Sequence, residues 1–329
     1  MRDPRPQAPP RHLLLADGTR WVIAAGDEGA VAIVAHLADA MQLSAASPAA
    51  MSVPARRLLV LVDAHNPHAA LAAYSPPQSG SDDWARCVLR AIPDDGGLSI
   101  QLAVLGLLLV WDAQTRGGVL LHGALAERAG AGVILAARGG TGKSTASRRL
   151  HAPWRSLSDD ATLVVPDARG NYWAHPWPTW SRFRDGGAGG AWDVQQSVPL
   201  TAVFFLKQAA DDGVGPVGRG QAVSLLVQSA EQTSQAMARG LSAADTCALR
   251  LERFNNLCAL ARATPTFVLR ISLTGTFWQE IEETLRMTPS RVRLHRSRIL
   301  TQKERPKCQR MRKPSDAGTK RQLLLPSTN

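Results

Sequence analysis

Val133-Ile134-Leu135-Ala136-Ala137-Arg138-Gly139-Gly140-Thr141-Gly142-Lys143-Ser144-Thr145 is the stretch on which the reading of this chain turns. Its first five residues are apolar and read as a short buried strand. Three glycines then break the strand, and Lys143–Leu150 reads as a helix. A strand-to-helix loop of this composition has the parts needed to hold a triphosphate. Gly139, Gly140 and Gly142 let backbone N–H groups approach the phosphates. Lys143 can reach the outer phosphates, Ser144 can place a hydroxyl on Mg²⁺, and Thr145 continues the helix. The usual pattern opens with glycine, and here Ala137 stands in that place, followed by Arg138. Residues Ala137–Thr145, with Thr141 between the glycines, are therefore the candidate nucleotide cradle.

Outward from the loop, Val119–Ala126 reads as a strand and Arg128–Gly132 as a tight turn, so that Val119–Ala137 forms a hairpin. That register sets His122 opposite Ala136 or Ala137, beside the mouth of the loop. Phosphoryl transfer also needs a carboxylate near Mg²⁺, which P-loop enzymes place at the end of a later apolar strand. Val203-Phe204-Phe205-Leu206 ends instead in Lys207, and Leu59-Val60-Leu61-Val62-Asp63 precedes the loop. The remaining candidates are Asp159 and Asp160, just before an apolar strand at Thr162–Val165. Neighbouring side chains on an extended segment point apart, so one can face the phosphates while the other holds metal.

The rest of the chain reads as α/β. A hairpin spans His12–Ile23 about Asp17-Gly18, Glu28–Met41 is a helix, and Arg57–Asp63 is a strand. Ser44–Pro54 is a loop, and His65–Asp82 is a Pro- and Ser-rich connection. Leu98–Gln114 is a strongly apolar helix. Later elements are a turn at Asp167–Gly170, a Gly-rich loop at 186–190, a strand at Ala202–Leu206, a helical region at Ala230–Leu260, a strand at Thr266–Ser272 and a helix at Trp278–Arg286. The expected division is an N-terminal α+β region (1–112), the loop-bearing core (113–286) and a basic, disordered tail (287–329). The tail carries twelve Lys and Arg against Glu304 and Asp316, so +10 of the net +11 lies there. The basicity thus belongs to an appendage, and nucleic acid is not an expected partner of the globular part. Leu102–Val110, the longest apolar run, is too short to span a bilayer, so no membrane partner is expected. Four scattered cysteines, at 87, 247, 258 and 308, fit unpaired thiols in a reducing cytoplasm. Trp173, Trp177, Trp180 and Trp192 read either as core packing or as an apolar surface gripping a peptide.

Leu121-His122-Gly123-Ala124-Leu125, Gly140-Thr141-Gly142-Lys143-Ser144-Thr145, Trp154-Arg155-Ser156-Leu157-Ser158-Asp159-Asp160 and His175-Pro176-Trp177-Pro178-Thr179-Trp180 together resemble the HPr kinase/phosphorylase superfamily. Within it they are most similar to the SynChlorMet cassette protein ScmC group of peptide-modification gene clusters. The resemblance implies a P-loop kinase core of the HPr kinase/phosphoenolpyruvate carboxykinase type, ATP and Mg²⁺ as cofactors, and γ-phosphoryl transfer to a hydroxyl. Carried onto this chain, Asp159 accepts the hydroxyl proton, Lys143 holds the phosphates, Ser144 and Asp160 hold the metal, and His122 supports the acidic site. HPr kinases add a metal-binding glutamate in a later loop, whereas the acids from Trp173 to Asp193 are Asp185 and Asp193 alone. Three functions stay open at this point. One is a cytoplasmic kinase acting on a Ser or Thr of a peptide or small protein. Another is a nucleotide-binding accessory protein without transfer, and the third a small-molecule or pyrophosphate-using phosphotransferase. A homo-oligomer is compatible with each.

Overall fold

The computed structural model describes residues 6–47, 53–63, 71–77, 83–92, 96–184, 189–234, 243–287 and 323–325. Its architecture is mixed α/β with two sheets. The first sheet contains β1 (Arg11–Leu14), β2 (Arg20–Ala25), β3 (Ser44–Ala45), β4 (Arg56–Asp63), β5 (Ala72–Ser75) and β6 (Trp84–Arg90), with α1 (Glu28–Met41) joining β2 to the β3 side. Parallel pairing links β2 to β4 and β4 to β6. The N-terminus of α1 is fixed by Asp27, whose carboxylate accepts from Ala30 N–H at 2.9 Å and from Val62 N–H at 2.8 Å. One side chain thereby caps the helix and ties it to β4.

The helix α2 (Gly97–Gln114) follows. Among the described residues it is the one helix long and apolar enough to cross a membrane, yet 67% of it is buried inside the fold. Leu102, Leu105 and Leu109 are fully buried in a core shared with Leu13, Ile23, Leu58 and Leu37, and with Leu163 and Trp177 of the second sheet. The apolarity all round this helix is thus that of a core helix between layers.

The second sheet holds β7 (Val119–Arg128), β8 (Ala131–Ala136), β9 (Arg155–Ser158), β10 (Ala161–Pro166), β11 (Tyr172–Trp177), β12 (Val198–Gln208), β13 (Gly213–Pro216) and β14 (Thr266–Ile271). The strands run in the order β11-β10-β7-β8-β12-β14-β13, with β9 on β7, and β11 also pairs with β12, closing a ring. The strands β8, β12 and β14 are mutually parallel. Alternation along them separates two faces. Ile134, Val203 and Phe205 pack toward α4 (Arg219–Ser234) and α5 (Ala243–Ala263), through Leu226, Leu257 and Leu260. Leu135, Ala202, Phe204 and Leu206 pack on the opposite face, against Ala146 of α3 (Lys143–Arg149) and Phe277 and Ile281 of α6 (Phe277–Met287).

Short strands such as β8, β10 and β14 fall where expected, whereas α4 begins at Arg219, ahead of the helical region expected from Ala230, and β12 runs Val198–Gln208 around the expected Ala202–Leu206. The strands β6, β9, β11 and β13 and the β5 segment inside 65–82 have no counterpart in the sequence reading. In β6 only Ala85, Cys87 and Leu89 are buried, a brief alternation in which Arg86 and the apolar Val88 are the intervening residues. The expected loop at 44–54 holds β3, and its residues 48–52 lie outside the described residues, as do 186–188 of the Gly-rich loop and 235–242 of the helical region. Of the basic tail, the described residues are Leu323–Leu325, which form β15 antiparallel to β5; the rest of that expectation falls outside them. Cys87, Cys247 and Cys258 are unpaired, and burial pushes the Cys87 thiol up to about 12.

Candidate functional site

The hairpin β7–β8 sets the site. Its register pairs Gly123 with Ala136 and Arg128 with Ala131, so His122 falls level with Ala137, where the chain leaves β8. On its other edge β7 pairs with β10, placing Ala161 opposite His122 and therefore Asp160 beside it. Two antiparallel pairings thus bring a histidine, a carboxylate and the glycine-rich loop to one end of the sheet.

The loop 137–142 turns sharply. Gly140 and Gly142 have φ of +78° and +102°, a backbone conformation that side-chain-bearing residues rarely adopt. Gly139, Gly140 and Gly142 have nothing within 4 Å of where a Cβ would lie. Internal packing therefore does not require glycine here; the turn and an open face over the backbone do. Ala137 is buried at 7% exposure on the strand side, which accounts for a small residue other than glycine at that position. Its carbonyl accepts from Lys143 Nζ at 3.3 Å.

Lys143 is 6% exposed. Burial lowers its pKa, while Asp160 and then Asp159 act in the opposite sense. A buried ammonium costs stability unless opposite charges act on it, and these two carboxylates supply that charge. The two acids, on the bend between β9 and β10, differ in their partners. Asp160 Oδ1 lies 2.9 Å from His122 Nε2. That hydrogen bond, against the opposing effect of burial, holds its carboxyl below the usual range, with His122, Lys143 and Arg182 adding charge. Asp159 is instead ion-paired with Arg182.

The second nitrogen of His122, Nδ1, meets Gln232 Oε1 at 2.7 Å, and its carbonyl accepts from Ser229 Oγ at 3.2 Å. Gln232 in turn donates its amide to the Gln228 carbonyl at 3.1 Å. That donation aims the amide oxygen at the imidazole, so α4 orients the ring. Ser144 is partly exposed and Thr145 exposed, both in the first turn of α3.

Arg182 and Gln232 are the members of the site that the sequence reading does not contain. Arg182 sits on a 3₁₀ turn (Trp180–Phe183), with its guanidinium 5.6 Å from the Trp192 ring. Trp180 anchors the turn on α2, where a Cβ on Gly106 would lie 2.7 Å from the indole nitrogen. The tryptophans resolve accordingly. Trp177 and Trp192 are 1% and 5% exposed in the main core, and Trp173 and Trp180 pack against it. Their first role is packing, and through Trp180 and Trp192 they seat Arg182.

His175, from the same motif-bearing segment, lies away from this cluster. It is fully buried, accepts from Ala16 N–H through Nε2 at 3.1 Å and donates from Nδ1 to the Val194 carbonyl at 2.6 Å. No group of three or more His, Cys, Asp and Glu with metal-site geometry occurs among the described residues. No curated protein matches the chain. The family model of SynChlorMet cassette protein ScmC matches residues 86–286, from β6 through α6, which takes in well over half of the sequence and every site residue above, and this chain belongs to that family.

Proposed function

We propose that this protein is an ATP-dependent kinase of the HPr kinase-like type, acting on a Ser or Thr hydroxyl of a peptide or small protein within a peptide-modification cluster. The observation that carries the reading is the buried Lys143, set behind a glycine loop whose face is open, with two carboxylates offsetting the effect of its burial. A lysine kept in such a place costs stability, and a polyphosphate is a ligand that would repay it.

In this reading the loop amides and Lys143 bind the β- and γ-phosphates. The substrate hydroxyl oxygen attacks the γ-phosphorus, the bond from that phosphorus to the bridging oxygen of ADP breaks, and the hydroxyl proton passes to Asp159. Asp159 meets Arg182 through Oδ2, so Oδ1 can take the proton, and protonation weakens the pair and leaves a guanidinium at hand for the transferring phosphoryl group. The Ser144 hydroxyl and the Asp160 carboxylate suit Mg²⁺, which supplies charge neutralisation of the phosphates when bound. His122 orients Asp160, and Gln232 orients His122.

The runner-up is a nucleotide-binding accessory protein without transfer. The ion pair that occupies Asp159 and the lack of glutamate between Trp173 and Trp192 favour it. Both readings require nucleotide binding at Lys143. Lys143→Ala should lower ATP affinity about tenfold or more, on the order of 1.4 kcal/mol, while the protein stays folded. Titration calorimetry measures this, and an unchanged affinity in a folded variant would reject the loop as the nucleotide site. Transfer of label from γ-³²P-ATP to peptides encoded beside the gene then separates kinase from accessory protein.

A further inference from the structure

The glycine-rich loop has two flanks. On one side of β8 lie β7 and β10 with His122, Asp159 and Asp160; on the other lie β12 and β14. A cavity of about 480 Å³ opens on this second flank. Thr141 of the loop, Phe205 of β12, Val268 of β14, and Leu225, Gln228 and Gln232 of α4 line it. The three α4 residues follow the i, i+3, i+7 spacing of one helical face. Phe205, Leu225 and Val268 give the cavity apolar walls; Gln228 adds a carboxamide that can donate and accept, and Gln232, its oxygen at His122 and its amide on the Gln228 carbonyl, keeps a second N–H to donate. Gln228 Oε1 is held by Arg138 of the loop only at the 3.5 Å limit of a hydrogen bond.

The cavity meets the loop at Thr141 and borders the acidic end of the site at Gln232, the partner of His122, so a triphosphate on the loop with its outer phosphate at Lys143 can run from the acidic end into it. Small-molecule sites typically occupy about 300–1,000 Å³ and combine apolar walls with a few aimed polar groups, so the cavity has room for a base and sugar. We propose that it seats the nucleoside of the nucleotide, with its base between the apolar walls and its polar edge toward Gln228 and Gln232. This rests on the loop binding the phosphates. It also gives α4 a second task, because Gln232 touches both the cavity and His122.

The test is calorimetric titration of the full chain with Mg-ATP and, separately, with Mg-tripolyphosphate, which has the phosphates and no nucleoside. Wild type should bind ATP about tenfold or more tighter than tripolyphosphate. Leu225→Trp, which fills the cavity, should weaken ATP by about tenfold and tripolyphosphate by less than about twofold. Should that variant fail to fold, Gln228→Ala at an exposed position carries the test, with about a threefold loss for ATP alone. Equal affinity of wild type for the two ligands, or equal losses for both in the variants, overturns the nucleoside assignment while leaving the phosphate loop standing. Binding of neither ligand to wild type removes the loop reading itself.

Discussion

Two histidines of this chain occupy opposite kinds of environment, and the contrast separates chemistry from architecture. His122 lies within β7, level with the mouth of the loop, and both its ring nitrogens meet side-chain oxygens, Asp160 on one side and Gln232 on the other. His175 is fully buried in β11, and both its nitrogens are bound by backbone, from Ala16 and to Val194. A carbonyl can only accept and an N–H only donate, so the His175 ring is satisfied as the neutral Nδ1–H form. It clips the N-terminal hairpin to the second sheet. Polar side chains around an imidazole can be rearranged by a ligand at little cost; buried backbone partners cannot, because leaving them unpaired is expensive. Substitutions near His122 should therefore damage function and spare stability, and substitutions at His175 should do the reverse.

The largest effect is expected at the buried clip. His175→Ala leaves the Ala16 N–H and the Val194 carbonyl without partners and opens a cavity, at a cost of about 2–4 kcal/mol. Chemical denaturation measures it, and ATP affinity of the remaining folded fraction should be unchanged. A loss of ATP binding in folded His175→Ala would break the contrast.

On the functional side, Asp159→Asn should slow phosphoryl transfer by roughly a hundredfold or more, about 2.7 kcal/mol in the barrier, with ATP affinity retained. Single-turnover transfer to a peptide substrate gives the comparison. Asp160→Asn should act differently, raising the Mg²⁺ concentration needed for half-maximal ATP binding. If Asp159→Asn transfers as fast as wild type, Asp159 is not the base.

A smaller effect concerns pH. Burial lowers the pKa of His175 from its ordinary value, and its hydrogen bond to Val194 only partly opposes this. Above about pH 6.5 the ring is neutral both folded and unfolded, and it adds no pH dependence. Below that, the unfolded chain takes up the proton and the folded one resists it, so stability falls as the pH drops from about 6.5 toward the lowered folded value. Thermal melts from pH 7.5 to 5.5 should show this decline, and His175→Ala should show a shallower one. An equal slope in the variant would assign the dependence elsewhere, with His12, also lowered by burial, as the next candidate.

The smallest effect is expected from the tail. Ending the chain after Met287 removes β15 from the β5 edge and none of the site residues described above. ATP affinity should be unaltered, and the melting temperature should fall by less than about 4 °C, since three edge residues contribute on the order of 1 kcal/mol or less. A larger drop would show that the tail does more for the first sheet than pairing one edge strand.

Much of the site was legible because its parts are close in sequence. A glycine-rich turn between an apolar strand and a helix is local chemistry, and Gly139–Ser144 declares it without reference to the rest of the chain. The hairpin that levels His122 with Ala137 is equally local, since a tight turn leaves two registers to choose between, and the structure takes the one with Gly123 opposite Ala136. The Asp159–Asp160 pair stood out by composition, but the placement of Asp160 beside His122 needed the pairing of β10 with β7. Glu28–Met41 was readable because many residues vote for one period, and the helix at 97–114 because it is apolar all round over a length no ordinary strand reaches.

By itself, then, the sequence determined the α/β class, the glycine-rich turn between strand and helix, most of the elements and the position of the basic tail, all set by short-range spacing and composition. Only the tertiary structure decided that Arg182 pairs with Asp159 across 23 residues, that Gln232 orients His122 across 110, and that Trp180 and Trp192 serve to seat an arginine. It alone separated His175 from His122. The physical reason is that a side chain's partner is chosen by which strands become neighbours. That choice rests on the summed burial of Leu120, Leu163, Val203, Phe204 and the rest of the core, to which no local pattern around Arg182 or Gln232 contributes.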